Sequence, residues 1–130
     1  MGGNDHIAGL GGDDLICAGA GADLLAGGNG ADRMFGARGN DRLLGKTGGD
    51  KLVGNQGEDH LVGGTGTDRI TGSGGDDRLL GSKGNEQLTG MQGDDQLTGM
   101  QGNDHLQGGS GSDQLNGGPG ADEVNQGPSV

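Results

Sequence analysis

"TGMQGDDQLTGMQGNDHLQGG", residues 89–109, writes the phrase T-G-M-Q-G-x-D-x-L twice in succession. Followed outward in both directions, the acid of that phrase recurs every nine residues. It stands at Asp5, Asp14, Asp23, Asp32, Asp41, Asp50, Asp59, Asp68, Asp77, Glu86, Asp95, Asp104, Asp113 and Asp122, with no insertion across fourteen units. Two residues before each acid is a glycine, from Gly3 to Gly120, and two after it is an apolar residue, from Ile7 to Val124. A further glycine follows four residues after the acid in every unit but two, where Ala18 and Gln126 replace it. A fixed short period of this kind marks a repeat architecture in which no unit buries its apolar side alone.

The bulk composition is poor for an ordinary core. Leu, Ile, Val and Phe together number 22 of 130 residues, there is no Trp or Tyr, and the net charge is -11. Such a pairing normally accompanies disorder, and the 36 glycines each lose more backbone freedom on folding than any other residue. Something outside the chain is therefore expected to help it fold. The single cysteine, Cys17, excludes an internal disulfide framework and offers too few thiolates for a zinc site. No apolar run is long enough for a membrane span, and the first thirty residues lack the blocks of a signal peptide. The acidity disfavours nucleic acid, whose phosphates it would repel, and suits a cation.

Each unit divides into a glycine-rich six, such as "GGTGTD" (63–68), and a polar-apolar-polar three, such as "RIT" (69–71). The six supply turn residues, and the three have the period of a short strand with one side chain facing in. Two units then close a circuit of eighteen residues, and fourteen units make about seven circuits. Odd units build one parallel sheet and even units the other, around a thin apolar interior, in a rod roughly 30 to 35 Å long at about 4.8 Å per coil. The acids fall into two rows of stacked like charges, one on each edge, which repel unless cations lie between them. Carboxylates and turn carbonyls form an all-oxygen ligand set, which favours Ca²⁺ over the more demanding Mg²⁺.

The pattern G-G-x-G-x-D-x-U-x across essentially the whole chain resembles the repeat-in-toxin (RTX) calcium-binding nonapeptide family. The resemblance implies an all-β, right-handed parallel β-roll with each Ca²⁺ between the turns of units n and n+2. Its ligands would be the fourteen acids together with backbone carbonyls of turn residues such as Gly12, Gly21, Gly30, Gly39, Gly48, Gly57, Gly66, Gly75, Gly93 and Gly102. Fourteen units allow at most about twelve such positions. The family also implies an extracellular bacterial protein that stays unfolded at low calcium and folds on secretion, exported by a type I system whose signal lies outside this sequence. On this reading residues 1–130 are a single roll domain, cut within a repeat at both ends, with no catalysis of its own. The alternatives are the C-terminal portion of a secreted protease, lipase, epimerase or pore-forming toxin, and a surface-binding roll of the adhesin or ice-binding type.

Several positions depart from the pattern. The second glycine of the pair is Leu10, Ala37, Lys46, Asn55, Ser73, Ser82, Met91 or Met100 in eight units, so those turns are expected to be adjusted or to bind more weakly. Glu86 is one methylene longer than its neighbours, and the sites it shares with Asp68 and Asp104 are expected to be the weakest. The adjacent acids Asp13/Asp14, Asp76/Asp77 and Asp94/Asp95 are not catalytic pairs, because only the second of each is in phase. "GNDRLLGKT" (39–47) encloses five residues where a phosphate-binding loop needs four. His6, His60 and His105 fall on outward strand positions, as do Arg33, Lys51 and Arg69 on one sheet and Arg42 and Arg78 on the other. Three residues after the acids, Ala8, Ala26, Leu44, Val62 and Leu80 form an outward apolar stripe, and Cys17, Phe35 and Val53 a shorter one. The Leu44/Val62/Leu80 stripe is expected to dock a neighbouring domain or a second copy.

Overall fold

A computed structural model describes residues 2–128, and the repeat remnants at Met1 and at 129–130 lie outside them. One strand forms per unit. The odd strands are β1 (His6–Gly11), β3 (Leu24–Asn29), β5 (Arg42–Thr47), β7 (His60–Thr65), β9 (Arg78–Lys83), β11 (Gln96–Gln101) and β13 (Gln114–Asn116). The even strands are β2 (Leu15–Ala20), β4 (Arg33–Arg38), β6 (Lys51–Gln56), β8 (Arg69–Gly74), β10 (Gln87–Gln92), β12 (His105–Ser110) and β14 (Glu123–Asn125). Each set makes one seven-stranded parallel sheet in strictly sequential order, and every ladder pairs a residue with the one eighteen positions on, as in Ile7 with Leu25. The molecule is a parallel β-roll of about seven coils, as the repeat predicts.

The period sets the core. One apolar side chain per unit points inward, and Leu25, Met34, Leu43, Leu52, Leu61, Ile70, Leu88 and Leu106 are completely buried, with Ile16, Leu79 and Leu97 nearly so. Each buried Leu or Ile contributes about 2 kcal/mol of transfer free energy. The core thins at both ends: Ile7 and Leu115 only pack against it, and Val124 is 47 % exposed.

The strands are twice as long as the three residues expected. In β1–β12 they run for six, but each ladder skips the glycine four residues after the acid: Ala8 pairs with Ala26, Gly9 is passed over, and Leu10 pairs with Gly28. That glycine is a corner, and the chain resumes its pairing beyond it because the next residue takes a positive φ. The conformation is the same whether that residue is glycine or not. Leu10 (φ 78), Lys46 (φ 82), Ser82 (φ 108) and Met100 (φ 82) adopt it in one sheet, and Ala37 (φ 94), Asn55 (φ 84), Ser73 (φ 104) and Met91 (φ 91) in the other. The expectation that these eight turns would be adjusted is thus corrected. A residue with a Cβ accepts the left-handed backbone at a cost of about 1–2 kcal/mol, because the paired coils on either side allow no other path.

Candidate metal centre

The acids are not surface turn residues. Asp23, Asp32, Asp41, Asp50, Asp59, Asp68, Asp77, Glu86, Asp95, Asp104 and Asp113 are all buried, while Asp5, Asp14 and Asp122 at the two ends are half-buried. For Asp14 and for the acids from Asp32 to Asp122 their direction follows from the glycine five residues before, a place that Ala18 takes before Asp23. A Cβ added to Gly9 would overlap Asp14 Oδ2 and stand 2.7 Å from the Gly27 carbonyl oxygen. One added to Gly45 would overlap Asp50 Oδ2 and stand 2.5 Å from that of Gly63. The carboxylate therefore turns inward into the space that the missing side chain leaves, which accounts for a glycine that the turn alone does not need.

Each inward carboxylate is half satisfied. Its Oδ1 accepts the backbone N–H of the acid one coil earlier: Asp23 N–H donates to Asp41 (2.8 Å), Asp41 to Asp59 (2.8 Å), Asp59 to Asp77 (2.9 Å), and on the other edge Asp32 to Asp50 (2.9 Å) and Asp50 to Asp68 (2.8 Å). The second oxygen has no donor. Oδ2 of Asp5, Asp14, Asp23, Asp32, Asp41, Asp50, Asp59, Asp68, Asp77, Asp95, Asp104 and Asp113 is buried without a hydrogen-bond partner, and so are both oxygens of Glu86. A buried charge left in this state is costly unless it meets a counter-ion or a proton.

The turn carbonyls are similarly free. Among the described residues no hydrogen bond is donated to the carbonyl of Gly12, Gly21, Gly30, Gly39, Gly48, Gly57, Gly66, Gly75, Gly93 or Gly102. These oxygens point along the roll axis: Gly12 O lies against the Cα side of Gly30, and Gly21 O against that of Gly39. From Gly21 onward any side chain at these glycines would collide with the carbonyl one coil earlier, while Gly12 in the first coil has open space; the φ values, 104 at Gly12 and 128 at Gly30, are positive throughout. The backbone conformation favours glycine at this place in every unit, and the close carbonyl adds a second reason from the second coil onward.

The electrostatics express the same deficit. Burial, offset in part by the backbone N–H and then increased by the neighbouring carboxylate, raises the Asp41 and Asp50 pKa values, and lifts Asp59 and Asp68 to about 6. Asp77 rises to about 7 for the same reasons, with Asp95 and Asp76 adding repulsion. Glu86 goes furthest, to about 8, chiefly through burial, with the neighbouring Asp104 and Asp68 carboxylates adding repulsion. It also breaks its row, since no bond runs from Asp68 N–H to Glu86, whereas Glu86 N–H still donates to Asp104 (2.9 Å).

An outer ladder accompanies the inner one and escaped the sequence reading. Asn or Asp immediately before the acid accepts the N–H of the corresponding residue one coil later: Asn40 from Glu58 (3.0 Å), Asp76 from Asp94 (2.9 Å), Asn85 from Asn103 (2.9 Å) and Asn103 from Ala121 (2.9 Å). The two ladders run in opposite directions, so a turn that carries both is held from below and from above. The signal was present in the recurring Asn and Asp at this place. It also fixes the fate of the adjacent acids, whose first member lies outside and whose second is the buried one.

No three His, Cys, Asp or Glu side chains among the described residues form a self-contained metal cluster. A cation here would draw on carboxylates from successive coils and on main-chain oxygens, a donor set of the hard, all-oxygen kind that Ca²⁺ accepts with six to eight flexible ligands. His6 is exposed; His60, on the same sheet, and His105, on the other, are half-buried, and they do not converge with the acids.

Fold and site define a parallel roll whose coils are joined by stacked carboxylates lacking a counter-charge. A family model for the RTX calcium-binding nonapeptide repeat matches four times, over residues 1–25, 18–52, 53–88 and 89–124, and the chain belongs to that family. Calcium is thereby the implied ligand. No curated protein matches the chain.

Proposed function

We propose that residues 1–130 form one domain that folds when it binds calcium and that serves as a structural, non-catalytic part of a secreted bacterial protein. The observation that carries this reading is the double row of buried carboxylate oxygens without donors. In the absence of a cation the two rows repel themselves, and with little core to oppose that repulsion the unfolded chain is favoured. A divalent ion bound between coils would supply the missing positive charge and join unit n to unit n+2. Ligands that bind only the folded form stabilise it by linkage, so each occupied position favours the next.

On this reading the fourteen in-phase acids are the side-chain ligands and the free glycine carbonyls the main-chain ones, with at most about twelve ions between successive coils. The extracellular setting follows from the family's character and from millimolar calcium outside cells against trace levels within. Far-ultraviolet circular dichroism during a calcium titration, with magnesium as control, tests the reading. A cooperative coil-to-β change with calcium alone is the expected result. At pH 8, a spectrum already rich in β structure without calcium, or one unmoved at millimolar calcium, would overturn it.

A further inference from the structure

All eight lysines and arginines of the chain lie between Arg33 and Lys83. Three of them, Arg33, Lys51 and Arg69, open β4, β6 and β8 and stand opposite one another in the ladder. They form a column of cations spaced by one coil, about 4.8 Å. Arg42, His60 and Arg78 make the matching column on the other sheet. Among the described residues the one ion pair is His105 with Glu123 (3.1 Å), so none of these cations has an acidic partner. Neutral amides hold them instead: Arg69 Nε donates to Gln87 Oε1 (2.8 Å) and Arg78 Nε to Gln96 Oε1 (3.2 Å). Like charges set directly opposite in a sheet are destabilising, and a line of unpaired ones is a surface short of anions.

The acidity of the chain does not oppose this. Of nineteen acidic residues, fourteen are the in-phase ladder acids, which leaves Asp13, Glu58, Asp76, Asp94 and Glu123 as the outward ones against eight cations. Once the ladder acids are engaged by calcium, the outer surface carries more positive than negative charge, concentrated over the middle coils. Beside the Arg33 column a concavity of about 560 Å³ spans four coils; the ladder acids Asp32, Asp50, Asp68 and Glu86 line it together with Thr67, Asn85 and Gln87, so it is open to an anion only when calcium engages those carboxylates.

We propose that the calcium-loaded roll binds an anionic polysaccharide along the Arg33–Lys51–Arg69 column. Evenly spaced cations in a straight line fit a polymer with charges at regular intervals, and the flanking amides and hydroxyl suit sugar hydroxyls. A nucleic acid fits less well, because Phe35 is the only aromatic residue and no platform exists on which bases could stack. The inference rests on the calcium reading, since without the ion the neighbouring Asp32, Asp50 and Asp68 would repel the same ligand.

The test is isothermal titration calorimetry of the whole chain with dextran sulfate, uncharged dextran and a single-stranded oligothymidylate, each with and without calcium, alongside circular dichroism. Dextran sulfate is expected to bind in calcium only, and dextran not at all. The triple variant R33Q/K51Q/R69Q is expected to bind dextran sulfate roughly tenfold or more weakly with an unchanged calcium-folding curve, while R38Q/K83Q, off the column, binds close to normally. Equal binding by the triple variant, equal binding without calcium, or an oligothymidylate held as tightly would overturn the proposal. A chain that folds in calcium but ignores dextran sulfate overturns this inference alone. One that does not fold in calcium removes the calcium reading and this one together.

Discussion

The two edges of the roll are built from the same nine-residue phrase, and their rows of in-phase acids differ at one residue, Glu86. On the odd edge six successive N–H to carboxylate bonds run from Asp5 to Asp113 without interruption, at 2.7–3.0 Å. On the even edge the series runs from Asp14 to Asp68, fails at Glu86, and resumes from Glu86 to Asp122. One added methylene carries the carboxylate past the N–H it should meet, towards Gly84, to which Glu86 Oε1 comes close. The contrast separates two demands on an acid at this place. A negative charge is enough to line the row, but only the reach of Asp also closes the hydrogen bond that locks one coil to the next.

The largest effect is expected from Asp59→Ala, in the middle of the unbroken edge. It strips the Asp41 N–H of its acceptor and removes one carboxylate from two neighbouring positions. An orphaned buried donor costs about 1–3 kcal/mol, so the calcium midpoint followed by circular dichroism should rise by about tenfold and the transition broaden. Asp5→Ala, at the thin end where the acid is half-buried, should change the same curve far less. Equal titrations for the two variants would abolish the distinction between middle and end.

Removing the ion gives the next effect, and its sign follows from the raised carboxyl pKa values. Asp59 and Asp68 near 6, Asp77 near 7 and Glu86 near 8 all exceed the values of about 4 that carboxyls have in an unfolded chain. The folded state thus binds more protons than the unfolded one between those limits, and an ion-free roll loses stability as pH rises from about 4 to about 8. In chelator the β signal should be greatest near pH 4 and fade by pH 8. In calcium the trend should reverse, because protons compete for the same oxygens and the midpoint rises as pH falls. A pH-independent signal in chelator would show that the buried carboxyls do not govern folding.

Glu86→Asp should act in the opposite direction from Asp59→Ala and more weakly. It restores the acceptor for Asp68 N–H, a bond worth about 1 kcal/mol net, so the calcium midpoint should fall by about fivefold and the transition steepen. An unchanged curve would mean that the even edge tolerates its gap. The smallest change is expected from Asn103→Ala, which removes one exposed acceptor of the outer ladder and should cost no more than about 1 kcal/mol in thermal melting in calcium.

Much of the fold was legible because the period states it. The step of eighteen, the two sheets, the inward Leu and Ile and the two carboxylate rows all follow from a phrase repeated without insertion. What escaped was conformational. Leu10, Lys46 and Met100 do not announce a left-handed backbone, and a strand read from "RIT" (69–71) gives no hint that pairing resumes beyond the glycine corner. The direction of the acids was also hidden, since Asp50 reads as a turn residue until Gly45 is placed opposite its carboxylate. Glu86 was singled out from its length, but only the coordinates show that the loss lies in the N–H of Asp68.

Because every coil advances the same eighteen positions, the roll can be edited by length as well as by residue. Excising residues 78–95 would join Asp77 to Gln96 in phase and take one coil, about 4.8 Å, out of the rod together with Glu86. The splice would set Asp68 directly below Asp104 and bring Asp77 beneath Asp113, so a shorter molecule would emerge with both of its edges continuous.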